Sequence, residues 1–248
     1  MIRPRIIPVI LIKNGYVVKT HQFKDERYIG EPINIIKIFN DKEADEVVVY
    51  DIGCSSLSSE INFSLIKRIA MVTRMPLCYG GGIKNINQAY EIFSYGVEKI
   101  SLGFNKSENV KFVENLIKIF GSQSIIITLD INYLETEKKY FIGRKNVPGP
   151  AIIDLIYKFQ DLGVGEIVFN CIHRDGTRIG YDTNFINMFY DKIKIPSTIV
   201  GGASSTEELL KLSERYKYLS YGIGSLFIYK GKNDAILINY PESITKKN

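Results

Sequence analysis

Short apolar runs and amphipathic stretches alternate along the whole chain. Arg5 to Ile12 (RIIPVILI), Glu46 to Ile52 (EVVVYDI), Pro76 to Tyr79, Glu98 to Gly103, Ser124 to Asp130, Ile167 to Phe169, Pro196 to Val200 and Tyr218 to Gly224 are rich in β-branched and aromatic residues. That composition and length predict buried strands. Between them, helical spacing of apolar residues covers Pro32 to Glu43, Ser59 to Val72, Asn85 to Tyr95, a stretch ending at Phe120, Pro150 to Leu162 and Ser205 to Arg215. A further helix opens after Gly180, with Asp182 or Thr183 as its N-cap. Tyr133 to Asn146 predicts a small hairpin or ordered loop, and Thr245 to Asn248 is expected to fray.

Eight strand–helix units in 248 residues predict one domain over residues 1–248, a (β/α)8 TIM barrel with its active face at the C-terminal strand ends. A doubly wound open sheet would want GxGxxG after the first strand, and none is there. No linker or low-complexity segment divides the chain. Pro76-Leu-Cys-Tyr-Gly-Gly-Gly and Pro196-Ser-Thr-Ile-Val-Gly-Gly both lead into a helix and then a strand, which predicts a barrel of two duplicated halves.

Composition narrows the chemistry. Hydrophobic residues at 45% and charged residues at 24% are ordinary for a soluble globular protein. The net charge of +5 is spread along the chain, which suits an anionic small molecule and makes no case for nucleic acid. Cys54, Cys78 and Cys171 are odd in number and far apart, so a reducing compartment fits better than a disulfide framework. They lack metal-ligand spacing, and neither a metal nor a cofactor is expected. No apolar run is long enough to span a membrane and no signal-peptide pattern opens the chain, so a cytoplasmic location is expected.

The densest chemistry lies in Asn170 to Asp182 (NCIHRDGTRIGYD), where a strand ends in a polar loop before a helix. Such a turn exposes backbone N–H groups that can hold a phosphate. In a barrel, Asp175, Gly176, Gly201, Gly202, Gly224 and Ser225 follow strands six, seven and eight, a common place for a phosphate site. The plainer alternative is glycines that only turn corners. His173 is either an acid/base or hydrogen-bonded filler, because its ordinary pKa is near neutrality. Asp51, ending strand two, reads as structural.

RIIP at Arg5, GYVVK at Gly15, ADEVVVYDI at Ala44, GGGI at Gly80, EKIS at Glu98, FGSQ at Phe120, RDGTRIGYD at Arg174 and GGA at Gly201 together resemble the cyclase subunit family of imidazole glycerol phosphate synthase, along nearly the whole chain. That resemblance implies a barrel fed with ammonia by a glutaminase, a substrate with two phosphates, and two acid/base aspartates ending strands one and five. Asp130 matches the second aspartate, while the first falls at Leu11, which cannot transfer a proton. The second-half phosphate clamp matches at Asp175, Gly176, Gly202, Gly224 and Ser225. In the first half Gly82 remains, but Gly103 and Phe104 stand where an asparagine and a hydroxyl residue are expected. Lys19 resembles the family's first-loop lysine and is a candidate substrate contact, or a solvated loop lysine.

Arg5, Glu46, Lys99 and Glu166, at the starts of strands one, two, four and six, match the family's salt-bridged ammonia gate. The alternative is a stabilising charge plug. Glu98 is a candidate for the partner interface. Relatives with such losses resemble ammonia-conducting subunits of surface-polysaccharide pathways. There a glutaminase and an ATP-using amidotransferase turn an acetamido sugar, a phosphorylated or nucleotide-linked substrate, into an acetamidino sugar. The other readings are a histidine-pathway cyclase, a non-catalytic scaffold that tunes the glutaminase, and a phosphosugar isomerase, which would also want a first-strand carboxylate.

Overall fold

The structure is a computed structural model that describes residues 4–55, 60–103, 110–143 and 152–241. Eight strands run parallel: β1 (Ile6–Lys13), β2 (Val47–Asp51), β3 (Leu77–Gly80), β4 (Lys99–Gly103), β5 (Ile125–Leu134), β6 (Glu166–Cys171), β7 (Ser197–Val200) and β8 (Leu219–Ile223). Each pairs with the next, and β8 returns to β1 through Ile6↔Tyr221, Ile7↔Gly222 and Pro8↔Ile223. The sheet therefore closes on itself and has no parallel edge left open, as the alternating pattern predicts.

The helices α1 (Pro32–Asp41), α2 (Phe63–Val72), α3 (Ile86–Ser94), α4 (Val110–Phe120), α5 (Ile152–Leu162), α6 (Thr183–Phe189) and α7 (Thr206–Arg215) connect consecutive strands. Asn62, Asn85, Asp182 and Ser205 cap four of them, each accepting from a backbone N–H three residues on. Asn85 and Ser205 thus stand just outside helices that the periodicity had included them in, because a capping residue is not helical. The start expected at Ser59 moves to Phe63, and Ser59, Pro150 and Phe104 lie outside the described residues. The eighth unit differs from expectation. Among the described residues β8 is followed by a 3-10 turn (Ser225–Phe227) and a two-strand ladder, Tyr229–Lys230 with Ala235–Ile236. The intervening Gly-Lys-Asn-Asp favours a turn over a helix.

Strand alternation sorts the apolar residues into two cores. Ile6, Ile10 and Ile12 of β1 face the helices and join Val47, Val49, Ile100, Leu116 and Phe159. Ile7, Val9, Val48, Cys78, Ile126, Val168 and Val200 fill the barrel, with Leu11 and Tyr50 packed against them. Burial on both faces is why the strands read as unbroken apolar runs.

The duplication is visible in backbone detail. At Gly81 a Cβ would lie 2.4 Å from the carbonyl oxygen of Asp51, and at Gly201 one would lie 2.6 Å from that of Cys171. Both glycines have positive φ, +127° and +103°. Each half thus uses a glycine to press the loop after its third strand onto the end of its second.

One element escaped the sequence pattern. Strands Tyr16–His21 and Lys24–Gly30 extend β1 as an antiparallel meander, with Leu11↔Val18, Ile12↔Val17 and Lys13↔Tyr16 in register. The turn is Asn14-Gly15, with φ of 51° and 83°. Asn-Gly between alternating apolar residues is the local signal for such a hairpin.

Candidate functional site

At the N-terminal mouth the four charges predicted to share a layer do so. Arg5 Nη1 donates to Glu46 Oε2 at 2.7 Å and Nη2 donates to Glu166 Oε1 at 2.8 Å. Lys99 Nζ bonds both oxygens of Glu46, at 2.8 and 2.9 Å, and lies 3.6 Å from Glu166 Oε2. Thr198 Oγ1 donates to Glu166 at 2.6 Å, and Arg5 Nε donates to Ser220 at 3.2 Å. The carboxylates are 4% and 5% exposed and the cations 29% and 20%, so the acids face inward and the bases face out. Burial works against the Arg5 charge, but Glu166 and Glu46 outweigh it and hold its pKa above the usual value. Glu98, exposed beside this layer, uses Oε2 to accept from Leu77 N–H at 2.7 Å. The apolar barrel filling begins directly above, with Cys78.

At the C-terminal mouth Asn170 Nδ2 donates to Asp130 Oδ1 at 2.8 Å, so the strand-five carboxylate is oriented from β6. Leu11 stands on β1, in register with Tyr50 of β2. Asp51 at the end of β2 accepts from the N–H groups of Gly53 and Cys54, at 3.0 and 3.3 Å, which is the structural role expected of it. His173 Nε2 lies 2.8 Å from Asp182 Oδ2, and its ring sits near those of Tyr133 and Tyr140, on the hairpin that β5 forms with the antiparallel strand Lys139–Ile142. Asp182 also caps α6 and accepts from the Tyr140 hydroxyl. Burial alone would raise the Asp182 pKa, but the bonds from His173, Phe185 N–H and Tyr140 hold it below the ordinary value. His173 is thus built into the post that joins the β5 hairpin to α6, and its buried Nδ1 has no hydrogen-bond partner among the described residues.

The residues expected to hold an anion stand at the C-terminal mouth of the second half. Gly202 O accepts from Gly180 N–H at 2.8 Å, and Gly224 and Ser225 open the turn after β8. Asp175 Oδ2 accepts from Thr20 Oγ1 at 2.8 Å and from Phe23 N–H at 3.3 Å, which pins the hairpin tip over the β6 loop. Gly176 is part of the same contact, since a Cβ there would lie 2.5 Å from Thr20 O. Gly82 lies across the mouth against Cys54, and Gly103 is exposed at the end of β4.

Lys19 lies beside Gly224, and is not a solvated loop residue. It is 4% exposed, donates to Val9 O at 2.7 Å, and its Nζ lies 2.7 Å from where a Cβ on Gly224 would be. Burial lowers its pKa to about 8, partly offset by Asp175. An anion bound beside Nζ favours the charged form and raises that pKa, so binding takes up a proton once Lys19 of the free protein is deprotonated. Inorganic phosphate affinity is therefore expected to fall as pH rises above 8. Lys19→Met should abolish that slope and weaken binding about tenfold, the loss of one charged hydrogen bond. Calorimetry at pH 7.5, 8.5 and 9.5 checks both; a flat wild-type profile would remove Lys19 from the site.

These features define a (β/α)8 barrel with a charge-paired N-terminal mouth, an apolar filling and a glycine-lined mouth at the other end. Residues 5–234 match the Histidine biosynthesis protein family. The chain is 44% identical to a protein of Leptospira borgpetersenii provisionally named imidazole glycerol phosphate synthase subunit HisF, covering 100% of this chain and 98% of that one. It is 43% identical, over 100% and 96%, to a Vibrio vulnificus protein provisionally named subunit hisF3 of that synthase. Imidazole glycerol phosphate synthase subunit HisF of Lactococcus lactis subsp. cremoris is 33% identical, over 100% and 99%. The chain belongs to the HisF family, the cyclase subunits of imidazole glycerol phosphate synthase. Among the described residues no helix is long and apolar enough to cross a membrane.

Proposed function

We propose that this barrel carries ammonia from a glutaminase docked on its N-terminal face to an acceptor held at its C-terminal mouth. The acceptor is a phosphorylated or nucleotide-linked acetamido sugar, converted with an ATP-using amidotransferase to an acetamidino sugar for surface polysaccharide (LPS or O-antigen). One observation carries the reading: a paired charge layer under an apolar filling is combined with Leu11 at the first-strand acid/base position. The cradle around Gly176, Gly202, Gly224 and Ser225, with Lys19, suits one phosphate. The more similar relatives carry provisional or numbered names, which fits a branch distinct from the histidine enzyme. Asp130 and that same cradle favour the second reading, a histidine-pathway cyclase.

Lys99→Met tests the conduit. Arg5 still bridges both glutamates in this variant, so the layer keeps its fold while losing its smaller cation. In the complex with glutaminase, glutamine hydrolysis should hold while amide nitrogen reaching the acceptor, per glutamine consumed, changes about fivefold, on the order of 1 kcal/mol in barrier. Nitrogen-15 from labelled glutamine, counted separately in product and in free ammonia, gives the ratio. An unchanged ratio in a variant that folds and docks would leave a charge plug as the better account.

A further inference from the structure

Tyr50 lies on β2 and Thr128 on β5, with β3 and β4 between them, yet Tyr50 Oη is 3.1 Å from Thr128 Oγ1. The side chain reaches that far because its ring passes over β3 at Gly80, where a Cβ would lie 2.7 Å from ring carbon Cδ1. Thr128 Oγ1 is in turn 2.6 Å from Ser101 Oγ on β4. A chain of three hydroxyls therefore crosses the inside of the barrel. Thr128 precedes Asp130 by one inward-facing step, so the chain runs one layer beneath that carboxylate. Leu11 is the register partner of Tyr50, and among the described apolar residues these two are the partly exposed ones packed on the interior cluster. Everything below them, from Val9 and Val200 down to Cys78, is buried.

A filled interior is normal for this fold, so packing alone would say nothing. The tether is the informative part. A phenylalanine would fill the same space, whereas this ring is hung by its hydroxyl on Thr128, which keeps Ser101 as a second partner. Swinging the ring out gives up the hydroxyl's bonds to Thr128 and Ser101, which stay bonded to each other, so no hydroxyl of the wall is left stranded. We infer that Tyr50, with Leu11 beside it, is the upper closure of the barrel interior, a hinged ring that separates the apolar filling from Asp130 and complements the charge layer that closes the other end. Its purpose, holding ammonia back until an acceptor is seated, rests on the conduit reading; the closure itself does not.

Cys78 reports on the closure. It is fully buried in the interior cluster, between Tyr50 above and the charge layer below, whereas Cys171 is buried on the helix side of the sheet. Methyl methanethiosulfonate, a small thiol reagent, is applied to the whole chain and labelling of each cysteine is followed by peptide mapping. Tyr50→Ala should raise the Cys78 rate about tenfold or more while Cys171 keeps its wild-type rate, because opening is local. Tyr50→Phe, which keeps the ring and loses the tether, should raise it by less. If Tyr50→Ala does not fold, Tyr50→Leu and Tyr50→Phe carry the same comparison. A wild-type Cys78 rate in the folded variants, or a rise shared equally by Cys171, overturns the closure. The measurement needs no glutaminase. Faster Cys78 labelling, found alongside a wild-type complex that passes no nitrogen, would therefore defeat the conduit and leave the closure standing.

Discussion

A strain lacking its histidine-pathway cyclase is expected to remain a histidine auxotroph when it expresses this protein. Ring closure in the family the chain resembles uses two carboxylates, ending strands one and five. Here Asp130 is present and held by Asn170, but β1 offers Leu11 at the matching place. Loss of one general acid/base costs ~10²–10⁴-fold in rate, enough to stop growth that depends on the product. The carboxylate that ends the neighbouring strand does not substitute, because Asp51 accepts two backbone N–H bonds and is 9% exposed. His173 is poorly placed to do so, since its Nε2 is bound to the Asp182 helix cap and its Nδ1 is buried. Growth without histidine, with soluble protein confirmed by immunoblot, is the measurement. Full rescue would return the chain to the cyclases and sink the acetamidino-sugar reading with it.

How much of this was open to reading in the sequence depends on the range of the interaction. The barrel strands are local patterns of β-branched residues, so all eight could be read, and the duplicated Gly-Gly turns followed from spacing. The charge layer could be read because Arg5, Glu46, Lys99 and Glu166 each stand at or just before the start of a strand and match the family's gate. The depth of Lys19 could not. It depends on the hairpin that folds the chain back along β1, and that hairpin went unread although Asn14-Gly15 announces it. His173 posed an open choice between chemistry and filler, and the partner that constrains it, Asp182, also caps a helix. Tyr50 gave no sign at all, since a side chain reaching past two strands is a property of barrel closure and of an absent side chain at Gly80. The eighth helix, for which the described residues after β8 have a turn and a two-strand ladder instead, is a local error of the opposite kind, an architecture extended over residues whose own composition favours turns.

Arg5→Met is expected to be the most damaging single change in the charge layer, lowering the unfolding free energy by ~3 kcal/mol, the low end of the range for breaking a buried pair. The low end applies because the Arg5 side chain keeps 29% of its exposure, and water screens what it can reach. The cost arises from the acids. Glu46 and Glu166 are almost fully buried, and Arg5 is the residue that touches both at hydrogen-bond distance. Without it Lys99 still bonds Glu46, but it stands 3.6 Å from Glu166, whose remaining close donor is the Thr198 hydroxyl. Two buried negative charges then share one cation. Lys99→Met removes a cation too, yet leaves the Arg5 fork on both acids, and is expected to cost less than half as much by the same reasoning. Urea unfolding of the two variants at neutral pH, compared at equal m-values, separates them. Equal midpoints would mean that Arg5 holds the two acids no better than Lys99 does, and would defeat the claim that its fork is the main support of the layer.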